Sequence, residues 1–373
     1  MFEGEAFIVR DQAFQLQEPT LRDCLSSGGQ HCRTRSTLSM MVLYLGLAAG
    51  GWMCGFDASN SEETAVDATM EAERGLDGRR ILTIEWDTLF IVGGTVSDTI
   101  FGVPRLMASD RELVYVYDYS TARVTAIDSA GNIRWHFGGA GQGPAELANP
   151  MNLFAPGDGR LLILDAGAAR LTTLNADGQL VGSEPLDGRI LARYWELPGR
   201  RMALAGAITD PFWLAFDSSL DVIDSGAFPI VGMADLHPQW SRSTQIAAAG
   251  NHPWWATAFV FGDLFVSYHD TEFRCSARVL GTLPFPEAPA GARPWIFAAA
   301  ATDSSYLFVT RFEGAPRLMD EYRAADCGYI GSYELPSPAP ALAHNDGVTF
   351  IVVDDPAPAV LALRPMGAAA SGD

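Results

Sequence analysis

Missing from this 373-residue chain is any basic surplus: Arg and Lys total 25 against 45 Asp and Glu, a formal net charge of −20. Nucleic-acid binding needs clustered cations to neutralise phosphates, so that class is excluded. The acidity keeps the surface solvated and suits cationic partners. The five cysteines, Cys24, Cys32, Cys54, Cys275 and Cys327, contain no Cys-x-x-Cys pair, which argues against a structural zinc site. No Gly-x-Ser-x-Gly elbow is present, which removes the commonest serine-nucleophile turn. The main apolar run, residues 38–51, is shorter than the about 20 residues that span a bilayer.

That run has another meaning. Arg33 and Arg35 precede it, and Ala48, Ala49, Gly50 and Gly51 end it, the order of an export signal. A signal ordinarily starts at the first residue, so the polar stretch before it predicts a true start later than Met1. The expected organisation is an extension over 1–35, a signal-like segment over 36–54, a flexible linker over 55–80 and a disordered tail over 366–373. Cys54 stands where a bacterial lipoprotein carries its lipid, although Gly51-Trp52-Met53 departs from the usual lipobox. Both ordinary export and a membrane tether through Cys54 are therefore expectations, with the protein periplasmic, membrane-anchored or at the cell surface.

From residue 81 onward the chain is short β-patterned runs between turn residues. Leu113-Val114-Tyr115-Val116-Tyr117-Asp118 is followed by residues 123–128, a Ser129-Ala130-Gly131-Asn132 turn and residues 133–137. Leu161-Leu162-Ile163-Leu164-Asp165, residues 170–174 and the turn Ala176-Asp177-Gly178 repeat that unit. An Asp ending a strand accepts backbone amide hydrogen bonds and closes a tight turn. The position recurs at Asp118, Asp165, Asp210, Asp270, Glu313 and Asp354, in steps mostly in the forties. Periods of that length, with four strand-like runs each, specify propeller blades that stack until a ring closes. The reading is an all-β, six-bladed β-propeller over 81–365, with blade cores at 104–137, 150–186, 190–228, 254–285, 294–335 and 340–363. The last is short of strands. Residues 81–92 are expected to supply its outer strand and close the ring.

Residues 137–150 hold Gly138, Gly139, Gly141 and Gly143. A dinucleotide loop would need a helix after the glycines. Pro144, Pro150 and the β-pattern at 161–164 predict instead a long turn between two sheets. The run Gly138-Gly139-x-Gly141-x-Gly143-Pro144-x-Glu146-Leu147-x-x-Pro150 resembles the blade-joining turn of bacterial six-bladed propellers of the NHL-repeat kind. The resemblance is strongest over 104–186 and fades in blades three to five. It implies an exported protein, with or without a lipid anchor, and no particular activity.

The 60-residue step from Asp210 to Asp270 marks an insertion at about 229–253. Asp235, His237, Trp240, Arg242 and His252 are the candidate ligand-binding residues there, since a long Trp- and His-bearing loop on a rigid scaffold suits recognition. Trp254 and Trp255 are read first as core residues of the next blade. His136 is expected in an outer strand and His269 and His344 in turns. The leading function is a binding or scaffold module for a protein or small-molecule ligand at one face, without a cofactor. The alternative is a metal-dependent hydrolase or lyase at the channel mouth, using His237, His252 and nearby acids for a divalent metal. Related propellers include calcium-dependent lactonases and a zinc-dependent lyase, whose ligand sets do not match this chain residue by residue. Cys275 and Cys327 lie at similar places in successive repeats, either bridged in an oxidising compartment or unpaired.

Overall fold

The computed structural model describes residues 72–74, 79–95, 100–186, 193–204, 211–229, 244–249, 252–260, 264–279, 296–312 and 315–366. These residues form strands and turns with no helix among them. Three strands come first: β1 (Ala72–Arg74), β2 (Arg80–Leu82) and β3 (Trp86–Gly93). Blade one follows as β4 (Pro104–Ser109), β5 (Leu113–Asp118), β6 (Arg123–Asp128) and β7 (Ile133–Gly138). Blade two is β8 (Pro150–Phe154), β9 (Leu161–Asp165), β10 (Arg170–Leu174) and β11 (Leu180–Pro185). Blade three is β12 (Arg193–Leu197), β13 (Arg200–Leu204), β14 (Trp213–Phe216) and β15 (Val222–Gly226). Blade four is β16 (Thr244–Ala248), β17 (Trp254–Phe259), β18 (Leu264–His269) and β19 (Glu272–Arg278). Blade five is β20 (Ile296–Ala301), β21 (Ser305–Phe312), β22 (Ala315–Arg323) and β23 (Tyr329–Glu334). Blade six is β24 (Leu342–Asn345), β25 (Val348–Val353) and β26 (Ala359–Pro365), completed by β3.

The protein is thus a six-bladed β-propeller, each blade an antiparallel meander with its first strand at the centre. The second strand of each blade is buried on both faces, as in the all-buried patterns of β5 and β9. Such strands read as continuous apolar runs rather than alternations. Buried side chains form clusters that each join adjacent blades: one and two, two to four, four and five, five and six, six and one. No blade covers its own faces, so the ring is the folding unit.

The ring closes through the amino-terminal side as expected, by the second of the two strand-like runs within 81–92. The closing strand is β3, antiparallel to β26, and not residues 81–84. Ile81 and Leu82 belong to β2, which runs parallel to β23 on the outer edge of blade five, with β1 beyond it. Arg79 explains the difference. Its guanidinium is 1% exposed and donates to both carboxylate oxygens of Asp320, at 3.0 and 2.9 Å, and to Thr310 at 3.0 Å. Ser332 donates to the same carboxylate, and Tyr329 meets Ser332. A planar fork on a buried carboxylate is the arrangement only Arg makes bidentate.

Blade four differs too. Its first strand is β16, inside the segment expected as an insertion, so the blade begins at Thr244 and not at 254. Asp270 then follows the third strand, whereas Asp118 and Asp165 end second strands. Thr-Gln-Ile-Ala-Ala carries a weak strand signal, because alanine gives little β preference. Trp255 is fully buried, stacked on Tyr268 at 4.1 Å and 4.6 Å from Trp195. Trp254 is half-buried against His269.

The glycine-rich turn is a blade connection from β7 to β8. Arg170 donates to the carbonyls of Gln142, Gly143 and Glu146, while the Glu146 carboxylate accepts from the Gly143 amide at 2.8 Å. A Cβ on Gly141 would lie 2.0 Å from Glu146, and its φ of +155° disfavours other residues, so the glycine is required. Cys275 and Cys327 form a disulfide between blades four and five, with their Cα atoms 5.9 Å apart.

Candidate ligand site at the channel mouth

Turns between first and second strands gather at one end of the central channel, here the upper face. They enclose a cavity of about 220 Å³. Alanine is the commonest residue of its wall, including Ala108, Ala155, Ala248, Ala299, Ala301 and Ala343. Small side chains on the innermost strands leave the mouth open, where larger ones would fill it. The polar rim comes from different blades: Asp110 and Arg111 from blade one, His252 from blade four, Asp303 from blade five, and His344, Asn345 and Asp346 from blade six.

Asp303 is the centre of this rim. Its carboxylate sits 2.9 Å from His252 Nε2, and its side chain is 85% exposed against 34% for the imidazole. In the neutral imidazole Nε2 donates to Asp303 and leaves Nδ1 as an acceptor. His344 lies across from it on β24. Its Nδ1 meets Thr349 Oγ1 at 3.1 Å, and the residue lines the cavity. Burial pushes the His344 pKa down to about 4, against the opposing pull of Asp303 and Asp346. At neutral pH this ring is uncharged. Three carboxylates then face one guanidinium, and the mouth attracts cations.

The other rim groups have structural duties. Asp110 accepts from the Glu112 and Leu113 amides and from Tyr115 Oη. Asn345 donates to the Asp110 carbonyl and Ser109 Oγ donates to the His344 carbonyl, tying blade six to blade one. The Phe and Tyr of the lining among the described residues, Phe154 and Tyr194, are 7% and 1% exposed and offer no stacking platform. The channel continues past Asn152, Ile246, Ala299 and Leu342 to the lower face, where Arg105 and Arg193 stand. Arg193 donates to the carbonyls of Met151 and Thr244, and Arg105 pairs with Asp354 at 2.9 Å.

Of the residues singled out in the sequence, His252 lies on this rim. Asp235, His237, Trp240, Arg242 and Cys54 lie outside the described residues. The segment holding the first four rejoins the sheet at Thr244, the opposite end of β16 from His252. The turn at 137–150 also lies on that lower face. His136 is exposed in an outer strand and His269 ends a strand before a turn. His344 belongs to a strand, and the turn begins at Asp346. Among the described residues no group of three His, Cys, Asp or Glu has metal-holding geometry. Asp303 and His344 were missed because Asp303 reads as part of a Thr-Asp-Ser-Ser hairpin turn, and His344 as part of His-Asn-Asp-Gly. With the blade phase correct, both fall at the junction of first and second strands, as His252 does.

No protein-family model and no curated protein matches the chain. Solved structures do resemble it. A Bacteroides fragilis protein inferred to be exported aligns with a TM-score of 0.52 and 12% identity, over 76% of this chain and 95% of its own. A DUF4221-family member from Bacteroides vulgatus aligns at 0.50 and 9%, over 76% and 98%. A streptogramin B lyase aligns at 0.41 and 13%, over 75% and 87%. At these identities the likeness concerns the propeller fold.

Proposed function

We propose that the protein is an extracytoplasmic binding module that holds a cationic group in the upper mouth of its channel. The observation that carries this reading is the meeting of His252, Asp303 and His344, from three blades, on one alanine-walled cavity. Asp303 keeps acceptor capacity beyond its bond to His252. The Cys275–Cys327 disulfide supports an oxidising compartment, as does the signal-like segment at 36–54. A tether through Cys54 is part of the same proposal.

Calorimetric titration with n-butylammonium chloride tests the mouth. One charge-assisted contact in a wet site gives a Kd of about 1 mM, or about −4 kcal/mol. Asp303→Asn should weaken it at least tenfold, and succinate should not bind. Absence of binding, or binding indifferent to Asp303→Asn, overturns the reading.

A further inference from the structure

A second cavity opens on the same face. It measures about 450 Å³ and lies between blades two and three, over Pro156, Asp158, Glu196, Gly199, Arg200 and Ser218. The two spaces share one loop, since Ala155 and Gly157 line the mouth while Pro156 and Asp158 line the groove. The mouth alone, about 220 Å³, is smaller than the roughly 300–1,000 Å³ of sites that enclose a whole drug-sized ligand. It has room for the end of a molecule whose body lies elsewhere.

The groove differs in character. Its cations are already matched: Arg160 pairs with Asp158 and Glu196 at 2.8 Å each, Arg201 with Glu196 at 3.6 Å, and Arg200 with Asp270 at 3.3 Å. Such a floor neither attracts nor repels net charge and presents alternating donors and acceptors. That suits an amide backbone. Among the described residues no exposed Phe, Tyr or Trp ring lines either space, which disfavours sugars and quaternary ammonium groups, whose recognition rests on ring faces.

Building on the cation-binding reading of the mouth, we infer that the ligand is an extended polypeptide segment. Its primary ammonium, from an amino terminus or a lysine side chain, enters the mouth beside Asp303, and its backbone runs outward over the groove between blades two and three. The ammonium donates to the Asp303 carboxylate, with the His344 ring beside it on the same wall. The chain then crosses the 155–158 loop toward Arg200 and Ser218.

The test uses the whole protein and peptides of eight Ser, Gly and Ala residues labelled with fluorescein at the carboxyl end. Fluorescence polarisation should show the free-amine peptide binding at least tenfold more tightly than n-butylammonium. Its N-acetylated form should bind at least tenfold more weakly, and an acetylated peptide with one central lysine separates the two ammonium sources. Ser218→Trp, a change at an exposed turn, should remove the peptide's advantage and leave n-butylammonium binding unchanged. Asp303→Asn should weaken both. If peptide and n-butylammonium bind equally, or spermidine binds as tightly as the peptide, the groove proposal fails and the mouth reading stands. If neither amine binds, both fail.

Discussion

Blades one and two hold themselves together differently from blades four and five. In the first pair the work is local and repeated. Asp118 accepts from the amides of Gly102, Val103 and Ser120 at 2.6, 3.0 and 2.7 Å. Asp165 accepts from Ala148, Asn149 and Ala168 at 2.9, 2.8 and 3.2 Å. Each carboxylate staples the incoming connection to the turn that leaves its own strand. Blade four ends its second strand at Phe259, with no acid there, and Glu313, the candidate acid of blade five, lies outside the described residues. These blades use cross-links between distant parts of the chain: the Cys275–Cys327 bridge and the buried Arg79–Asp320 pair. A blade that loses its short-range staple can stay in the ring if something else pins its edge.

The contrast makes ordered predictions for urea unfolding. Arg79→Ala should cost the most, about 3–5 kcal/mol, because it leaves the fully buried Asp320 carboxylate without its counter-charge. Arg79→Met combined with Asp320→Leu should recover most of that loss, since matched apolar replacements avoid the stranded charge. Cys275→Ser with Cys327→Ser follows, at about 2–4 kcal/mol for a bridge with a sequence separation of 52. Asp165→Ala should cost about 1–3 kcal/mol, the usual range for stranding buried hydrogen-bonding groups. If Asp165→Ala proves more damaging than Arg79→Ala, the local staples dominate in both regions and the contrast is wrong.

The same contrast explains what was legible in the sequence. Turn-closing Asp118 and Asp165, preceded by apolar runs of five and four residues, announce their positions through local chemistry, and they set the blade count. Ring closure by a strand before blade one was also readable, because Leu89, Phe90, Ile91 and Val92 form a strand pattern outside any repeat. That residues 81–82 pair instead with blade five was not. Arg79 looks like one more linker charge until Asp320, 241 residues away, shows what it pairs with. Blade four was misphased for a related reason: Asp270 imitates a staple at the end of a different strand. The site suffered in turn. His252 was found among its neighbours in sequence, while its partner Asp303 lies one blade further and His344 two, a proximity that only the closed ring creates.

Acid titration separates the channel mouth from the blade-one staple through groups that titrate apart. His344 is pushed down to about 4 from 6.5 by burial. The unfolded chain therefore binds the extra proton between those values. The His344 contribution to stability is fully present above about pH 6.5 and drains away as pH falls toward 4. Asp118 behaves otherwise. Burial opposes its ionisation, but hydrogen bonds from Ser120, Gly102 and Val103 outweigh that and hold its pKa below 3.8. Its contribution stays intact down to that point and is lost only at lower pH. The wild-type protein should lose about 2 kcal/mol between pH 7 and pH 4.5 through His344, allowing for its partial exposure. His344→Gln should flatten that window, whereas Asp118→Asn should leave its slope unchanged. Urea midpoints at the two pH values decide the matter. An equal slope in His344→Gln would mean that the imidazole at the mouth is charged in the folded protein.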